Sequence, residues 1–225
     1  MGLLEVKHLV CGYSGKAVLD GVDFTLEKGD FVGIIGPNGS GKSTLVKAVS
    51  GIMEIMAGEI SYAGRNIRDF KRKELAARVT VLPQMVEVPY SFSVYDVIAM
   101  GRFPHLKRFG GLARSDRKII EEAVRLTDTS QLTGRSIREL SGSERQRVLF
   151  AQGIVQEPEL FLLDEPVSHL DIKHQVDLLD ILRNLNEKGV TIVAVLHDLN
   201  LASEYCKSLI MLNEGKIHMR GTAQE

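Results

Sequence analysis

The sequence predicts an α/β fold: a parallel-sheet core carrying a phosphate-binding loop, with an antiparallel β-subdomain and an inserted α-helical subdomain. Three observations carry this. Gly36-Pro37-Asn38-Gly39-Ser40-Gly41-Lys42-Ser43-Thr44 fits G-x-x-x-x-G-K-[ST] in full. Two continuous apolar runs, Leu160–Leu163 and Ile192–Leu196, read as strands covered on both faces. Between them and the loop, residues from about 90 to 139 change to helical patterning. The expectation is one domain over 1–225, with core and β-subdomain from 1–88 and 140–225 and the helical subdomain from 89–139.

In chain order, Leu4–Leu9 alternates apolar and polar, and Val22–Leu26 alternates again before a Lys28-Gly29-Asp30 turn. Phe31–Ile35 is a buried strand feeding the glycine loop, and Leu45, Val46, Ala48 and Val49 give the next segment an apolar helical face. Gly58–Tyr62 is a short strand; Arg78–Gln84 is another, ended by Pro83. Ser93-x-x-Asp96 predicts a capped helix through Met100, and Ser115 a second cap, with Ile119, Ala123 and Leu126 facing inward. Ser141-x-x-Glu144 is a further capping box. After Leu160–Leu163 a helix places Ile172, Val176, Leu179 and Leu182 on one face and stops at Gly189. Leu209–Leu212 and Lys216–His218 flank Asn213-Glu214-Gly215 as a hairpin. Met53 and Met56 read as gap-fillers in a core.

Composition is that of a soluble globular chain: 225 residues, 44% hydrophobic, 25% charged, net charge -1. That charge gives no global attraction for nucleic acid. No apolar run approaches the ~20 residues of a membrane span, and Met1–Glu5 lacks the start of a signal peptide. Val6 stands where a myristoylation motif after Gly2 needs Ser or Thr. Cys11 and Cys206 are expected as buried thiols, and the six histidines show no metal-ligand spacing.

Chemistry follows from the loop outward. Its glycines let successive backbone N–H groups point at an anion, and the following helix N-terminus adds unpaired donors. Lys42 is expected on the β- and γ-phosphates and Ser43 on Mg²⁺. Asp164, leaving a strand, is expected to hold the metal, and Glu165 to act as general base on the attacking water. Ser141-Gly142-Ser143 opens a helix whose N-terminus is also an anion site.

With these segments together, the chain resembles the nucleotide-binding subunit of an ABC transporter over nearly its whole length. The resemblance implies a P-loop NTPase core, ATP and Mg²⁺ as ligands, and ATP hydrolysis coupled to transport. Leu140–Gln146 is similar to the family signature LSGGQ or LSGGE, with Ser143 in place of the second glycine. That exchange is harmless on helical backbone and costs about 1–3 kcal/mol at positive φ. By the resemblance, Gln84 touches Mg²⁺ and senses the membrane partner, His197 hydrogen-bonds the γ-phosphate, and Tyr13 stacks on adenine. Ser168–Asp171 is similar to the family's D-loop, with Asp171 in the site and His169 where alanine is usual. Loop and signature lie on opposite faces of the nucleotide in that family, which implies a two-fold homodimer on ATP binding. It also implies separate transmembrane permease subunits, an external solute-binding protein, and a cytoplasmic position against the membrane.

Ser93–Leu106 and His197–Ala202 are similar to the importers of iron–siderophore complexes, haem and cobalamin, with parts shared by zinc or manganese importers and exporters. Soluble ABC ATPases of DNA repair or translation carry long coiled-coil insertions or tandem cassettes, and neither is present. Residues 102–118 hold Arg102, Lys107, Arg108, Arg114, Arg117 and Lys118 against Asp116. They read either as a solvated loop or as a basic patch facing anionic lipid or the permease.

Overall fold

The structure is a computed structural model describing residues 2–84, 91–107, 110–168 and 170–225. Arg108, His169 and positions 89 and 90 lie outside the described residues. In chain order the elements are β1 (Leu4–Tyr13), β2 (Lys16–Leu26), β3 (Phe31–Ile35), α1 (Lys42–Val49), β4 (Ala57–Tyr62), β5 (Arg65–Asn66), α2 (Arg72–Ala76) and β6 (Val79–Leu82). There follow α3 (Val94–Met100), α4 (Arg114–Leu126), α5 (Gly142–Val155), β7 (Leu160–Asp164), α6 (Ile172–Glu187), β8 (Thr191–Val195), α7 (Leu199–Tyr205), β9 (Ser208–Asn213) and β10 (Lys216–Gly221).

A four-stranded antiparallel sheet has the order β2-β1-β4-β5, and a six-stranded sheet the order β10-β9-β3-β8-β7-β6. In the second sheet β9, β3, β8, β7 and β6 run parallel, and the β9–β10 hairpin supplies the antiparallel edge. Its apolar strands serve two cores, because successive side chains point to opposite faces. Leu160, Leu162, Val193 and Val195 pack toward α1 and the four-stranded sheet. Phe161, Leu163, Ile192 and Ala194 pack toward the helical side, with buried residues of α3 to α7. Among the described residues the helical insert shares its core with the sheet: α3 and α4 lean on α5, and Phe150 of α5 stacks on Phe161 with centroids 5.7 Å apart.

Several expectations need correction. The cap of α4 is Ala113, not Ser115; its backbone N–H donates to the Asp116 carboxylate at 2.8 Å. The buried stripe of α4 is Ile120, Ala123 and Val124, while Leu126 is exposed, so the face is rotated from the one predicted. Ile172 is 78% exposed, because the buried face of α6 begins only at Leu178. Met56 is exposed, whereas Met53 packs against the β-subdomain core. Arg102 is no part of a basic surface. It is buried, with Nε 2.9 Å from Asp116 and Nη1 2.7 Å from Glu157 and from the Val155 carbonyl. The Ala113 N–H, together with Arg102, holds the Asp116 carboxyl below the usual range. Lys107, Arg114, Arg117 and Lys118 are exposed. Cys11 and Cys206 are buried free thiols, and burial pushes Cys206 up to about 12.

Candidate nucleotide site

Four adjacent parallel strands, β3-β8-β7-β6, end at one edge of the sheet, the edge where ligands of open α/β sheets gather. Register aligns the ends: Ile34 pairs with Val195, Leu163 with Ala194, and Leu82 with Leu163. Each strand therefore delivers one expected segment to the same rim. β3 delivers the glycine loop, β8 His197, β7 Asp164 and Glu165, and β6 Gln84.

The loop's geometry depends on glycine at two crowded points. Gly36 has φ 143° and Gly41 φ 104°. A Cβ would lie 2.0 Å from the Leu212 carbonyl oxygen at Gly36 and 2.6 Å from a Leu19 methyl at Gly41. Gly41 then serves as N-cap of α1. Lys42 is buried and folds back, its Nζ donating to the carbonyls of Gly36 at 2.9 Å and Pro37 at 3.0 Å. These bonds tie the Lys42 ammonium to the start of the loop that it follows.

Across the rim the Ser43 hydroxyl donates to Asp164 Oδ1 at 3.0 Å. Asp164 is 4% exposed and, among the described residues, makes no ion pair. Burial pushes its carboxyl up and the neighbouring Glu165 adds to the rise; the Ser43 hydroxyl, Lys47 and Lys42 act the other way. Glu165 stands at φ 52°, a left-handed conformation uncommon outside glycine. Its carboxylate accepts from Gln84 Nε2 at 2.6 Å and lies 2.6 Å from His197 Nε2.

These residues surround a hollow of about 740 Å³ lined by Tyr13, Val18, Asn38, Gly39, Gly41, Lys42, Ser43, Thr44, Gln84, Glu165 and His197. Two groups fit a phosphate-bound divalent cation. Ser43 and Asp164 are hard oxygen donors side by side, and Mg²⁺ takes one or two such ligands plus phosphate and water. The Ser40 hydroxyl, buried in the loop, has no hydrogen-bond partner among the described residues, as expected of a donor reserved for phosphate.

Tyr13, at the end of β1, is 48% exposed on the rim, with Lys47 Nζ 5.8 Å from its ring centroid and 3.4 Å from its hydroxyl. Sequence reasoning missed Val18 and Lys47. Val18 reaches the hollow through the Tyr13↔Lys16 register of the β1–β2 hairpin, a contact no local motif announces. Lys47 carried only the weak signal of a base near the end of a short helix.

Ser141, Gly142, Ser143 and Asp171 do not line the hollow. Ser141 caps α5, accepting from the Glu144 N–H at 3.2 Å while Glu144 accepts from the Ser141 N–H at 2.8 Å. Ser143 lies on helical backbone, so it avoids the strain of positive φ; its hydroxyl is 3.2 Å from that of Ser141. Asp171 caps α6, accepting from the His174 N–H at 2.9 Å.

Fold and rim define a nucleotide-binding α/β protein built around a phosphate loop. A family model described as "ABC transporter" matches residues 19–168, well over half of the chain. The iron(3+)-hydroxamate import ATP-binding protein FhuC of Bacillus subtilis is 39% identical over 226 residues, covering 100% of this chain and 84% of its own. The hemin import ATP-binding protein HmuV of Pseudomonas aeruginosa is 40% identical over 228 residues, covering 99% of this chain and 88% of its own. A bacterial ABC transporter cassette solved as a dimer superposes with TM-score 0.88 at 25% identity, with 99% of each chain covered. The chain belongs to the ABC transporter family, as an ATP-binding and ATP-hydrolysing cassette. Among the described residues no helix is long and apolar enough to cross a membrane.

Proposed function

We propose that this chain is the ATP-hydrolysing subunit of an importer for an iron complex, a siderophore or haem, with cobalamin as the neighbouring choice of cargo. The observation that carries the reading is the convergence of the glycine loop, Asp164, Glu165, Gln84 and His197 on one rim, with Ser141 left outside it. The cargo class rests on the likeness to FhuC and HmuV.

In this reading the loop N–H groups from Asn38 to Thr44 and Lys42 bind the triphosphate, and Tyr13 stacks on the base without reading its identity. Ser43, Asp164 and Gln84 hold Mg²⁺, which when bound neutralises charge on the phosphate oxygens. Glu165 accepts the proton of the attacking water. His197 orients that carboxylate and donates toward the γ-phosphate. The second wall comes from another copy: Ser141, Gly142 and Ser143 offer a helix N-terminus to the phosphates on the partner's loop, and Asp171 borders the same interface. Residues 89–139 form the insert that turns toward a separate permease on the cytoplasmic face of the membrane, supplied outside the cell by a solute-binding protein.

The test is co-purification with the membrane partner and reconstitution in liposomes. ATP-dependent uptake of a labelled ferric siderophore or haem supports the cargo class; uptake of zinc or manganese instead overturns it.

A further inference from the structure

The loop that follows Glu165 is gripped from two sides. Gln146, one turn into α5, donates from Nε2 to the Pro166 carbonyl at 3.0 Å. Gln175, in the first turn of α6, donates from Nε2 to the carbonyls of Leu170 at 2.9 Å and Val167 at 3.2 Å. Within the loop the Ser168 hydroxyl donates to the Glu165 carbonyl at 3.1 Å. Glu165, at φ 52°, occupies a conformation that persists only where its surroundings over-determine it. The Gln146 amide acts one residue beyond that strained position, on the Pro166 carbonyl.

We infer that Gln146 is a positioning residue for Glu165. It ties α5, whose N-terminus at Ser141 is offered to the nucleotide of a second copy, to the peptide that follows the proposed base of its own chain. A shift of α5 on meeting the partner's phosphates therefore moves the backbone that aims Glu165. This side-chain hydrogen bond is then one route by which occupancy of one site is felt at the other. The inference rests on the proposed reading of Glu165 as base.

The experiment uses the full chain with Mg-ATP. Gln146→Met keeps length and removes the donor; Gln146→Glu keeps shape and sets an acceptor against the carbonyl; Gln146→Lys keeps a donor of similar reach. Misaiming the base by about 1 Å costs up to about 100-fold, so kcat should fall about 10- to 100-fold in the Met and Glu variants with KM for ATP unchanged. The Lys variant should recover most of the loss. Wild-type kcat in Gln146→Met, a loss confined to KM, or no recovery in Gln146→Lys overturns the inference. Should the Met variant not fold, the comparison of Glu with Lys decides. Glu165→Gln is measured alongside. If it turns over at the wild-type rate, the reading of Glu165 has failed; if it is inactive while Gln146→Met is normal, only the role of Gln146 has failed.

Discussion

Replacing Glu165 with glutamine exchanges one carboxylate oxygen for an amide nitrogen and leaves the volume unchanged. The carboxylate now accepts from Gln84 Nε2 at 2.6 Å and faces His197 Nε2 at 2.6 Å. An amide retains one acceptor, so one contact must turn or break, at a cost of about 0.5–1.5 kcal/mol. That is small against the ~5–15 kcal/mol of a folded domain, so the variant should fold. Its effect on rate should be far larger. Loss of a general base lowers turnover about 10²- to 10⁴-fold, or about 3–5 kcal/mol in barrier. The assay is phosphate release at saturating Mg-ATP, with nucleotide affinity measured separately in the same variant. Turnover should drop by at least about 100-fold with affinity intact. Wild-type turnover, or a deficit that disappears at saturating ATP, would refute the assignment.

Other outcomes follow from buried charge. Arg102→Met strips the guanidinium from buried Asp116 and the Val155 carbonyl, and breaking such a pair costs about 3–5 kcal/mol in urea unfolding. Arg102→Met combined with Asp116→Leu should regain most of that, and a single-variant loss below about 1 kcal/mol contradicts the reading. Because the folded Asp116 carboxyl titrates below its unfolded value, its contribution is present above the ordinary carboxylate range and lost as pH falls through the folded pKa; Asp116→Asn should flatten that acid limb of wild-type stability. Asp164 has the opposite sign: its raised pKa means that ionisation costs stability as pH rises through that value. Asp164→Asn should therefore raise the melting temperature without ligand at neutral pH and remove the further rise given by Mg-ATP; a lower melting temperature without ligand contradicts this.

What was legible in the sequence had a local cause. The glycine loop, the Ser93 and Ser141 caps and the β9–β10 hairpin each follow from side chains within a few residues of one another. The apolar runs of β7 and β8 announced strands buried on both faces, though only register shows that His197, Glu165 and Gln84 emerge side by side. The failures share a different cause. Arg102 looked like one base among six because its partners Asp116 and Glu157 lie 14 and 55 residues away. Ser115 looked like a cap because serine caps well, yet the Asp116 carboxylate captured the Ala113 N–H and started the helix earlier. Short α7, built on the Asp198 cap, was not predicted as a helix: Asp198 accepts from the N–H groups of Asn200 and Leu201. Ile172 followed helical periodicity but sits in the first turn of α6, beyond the reach of the core.

In the proposed cycle one copy holds the phosphates and a second copy closes over them. Sedimentation of Glu165→Gln, which should bind ATP without consuming it, tests this most directly. With Mg-ATP the variant should sediment as a dimer that retains one nucleotide per chain, and Ser141→Arg in the same background should return it to monomer. A monomer that occludes ATP by itself, unaffected by Ser141→Arg, would contradict the account.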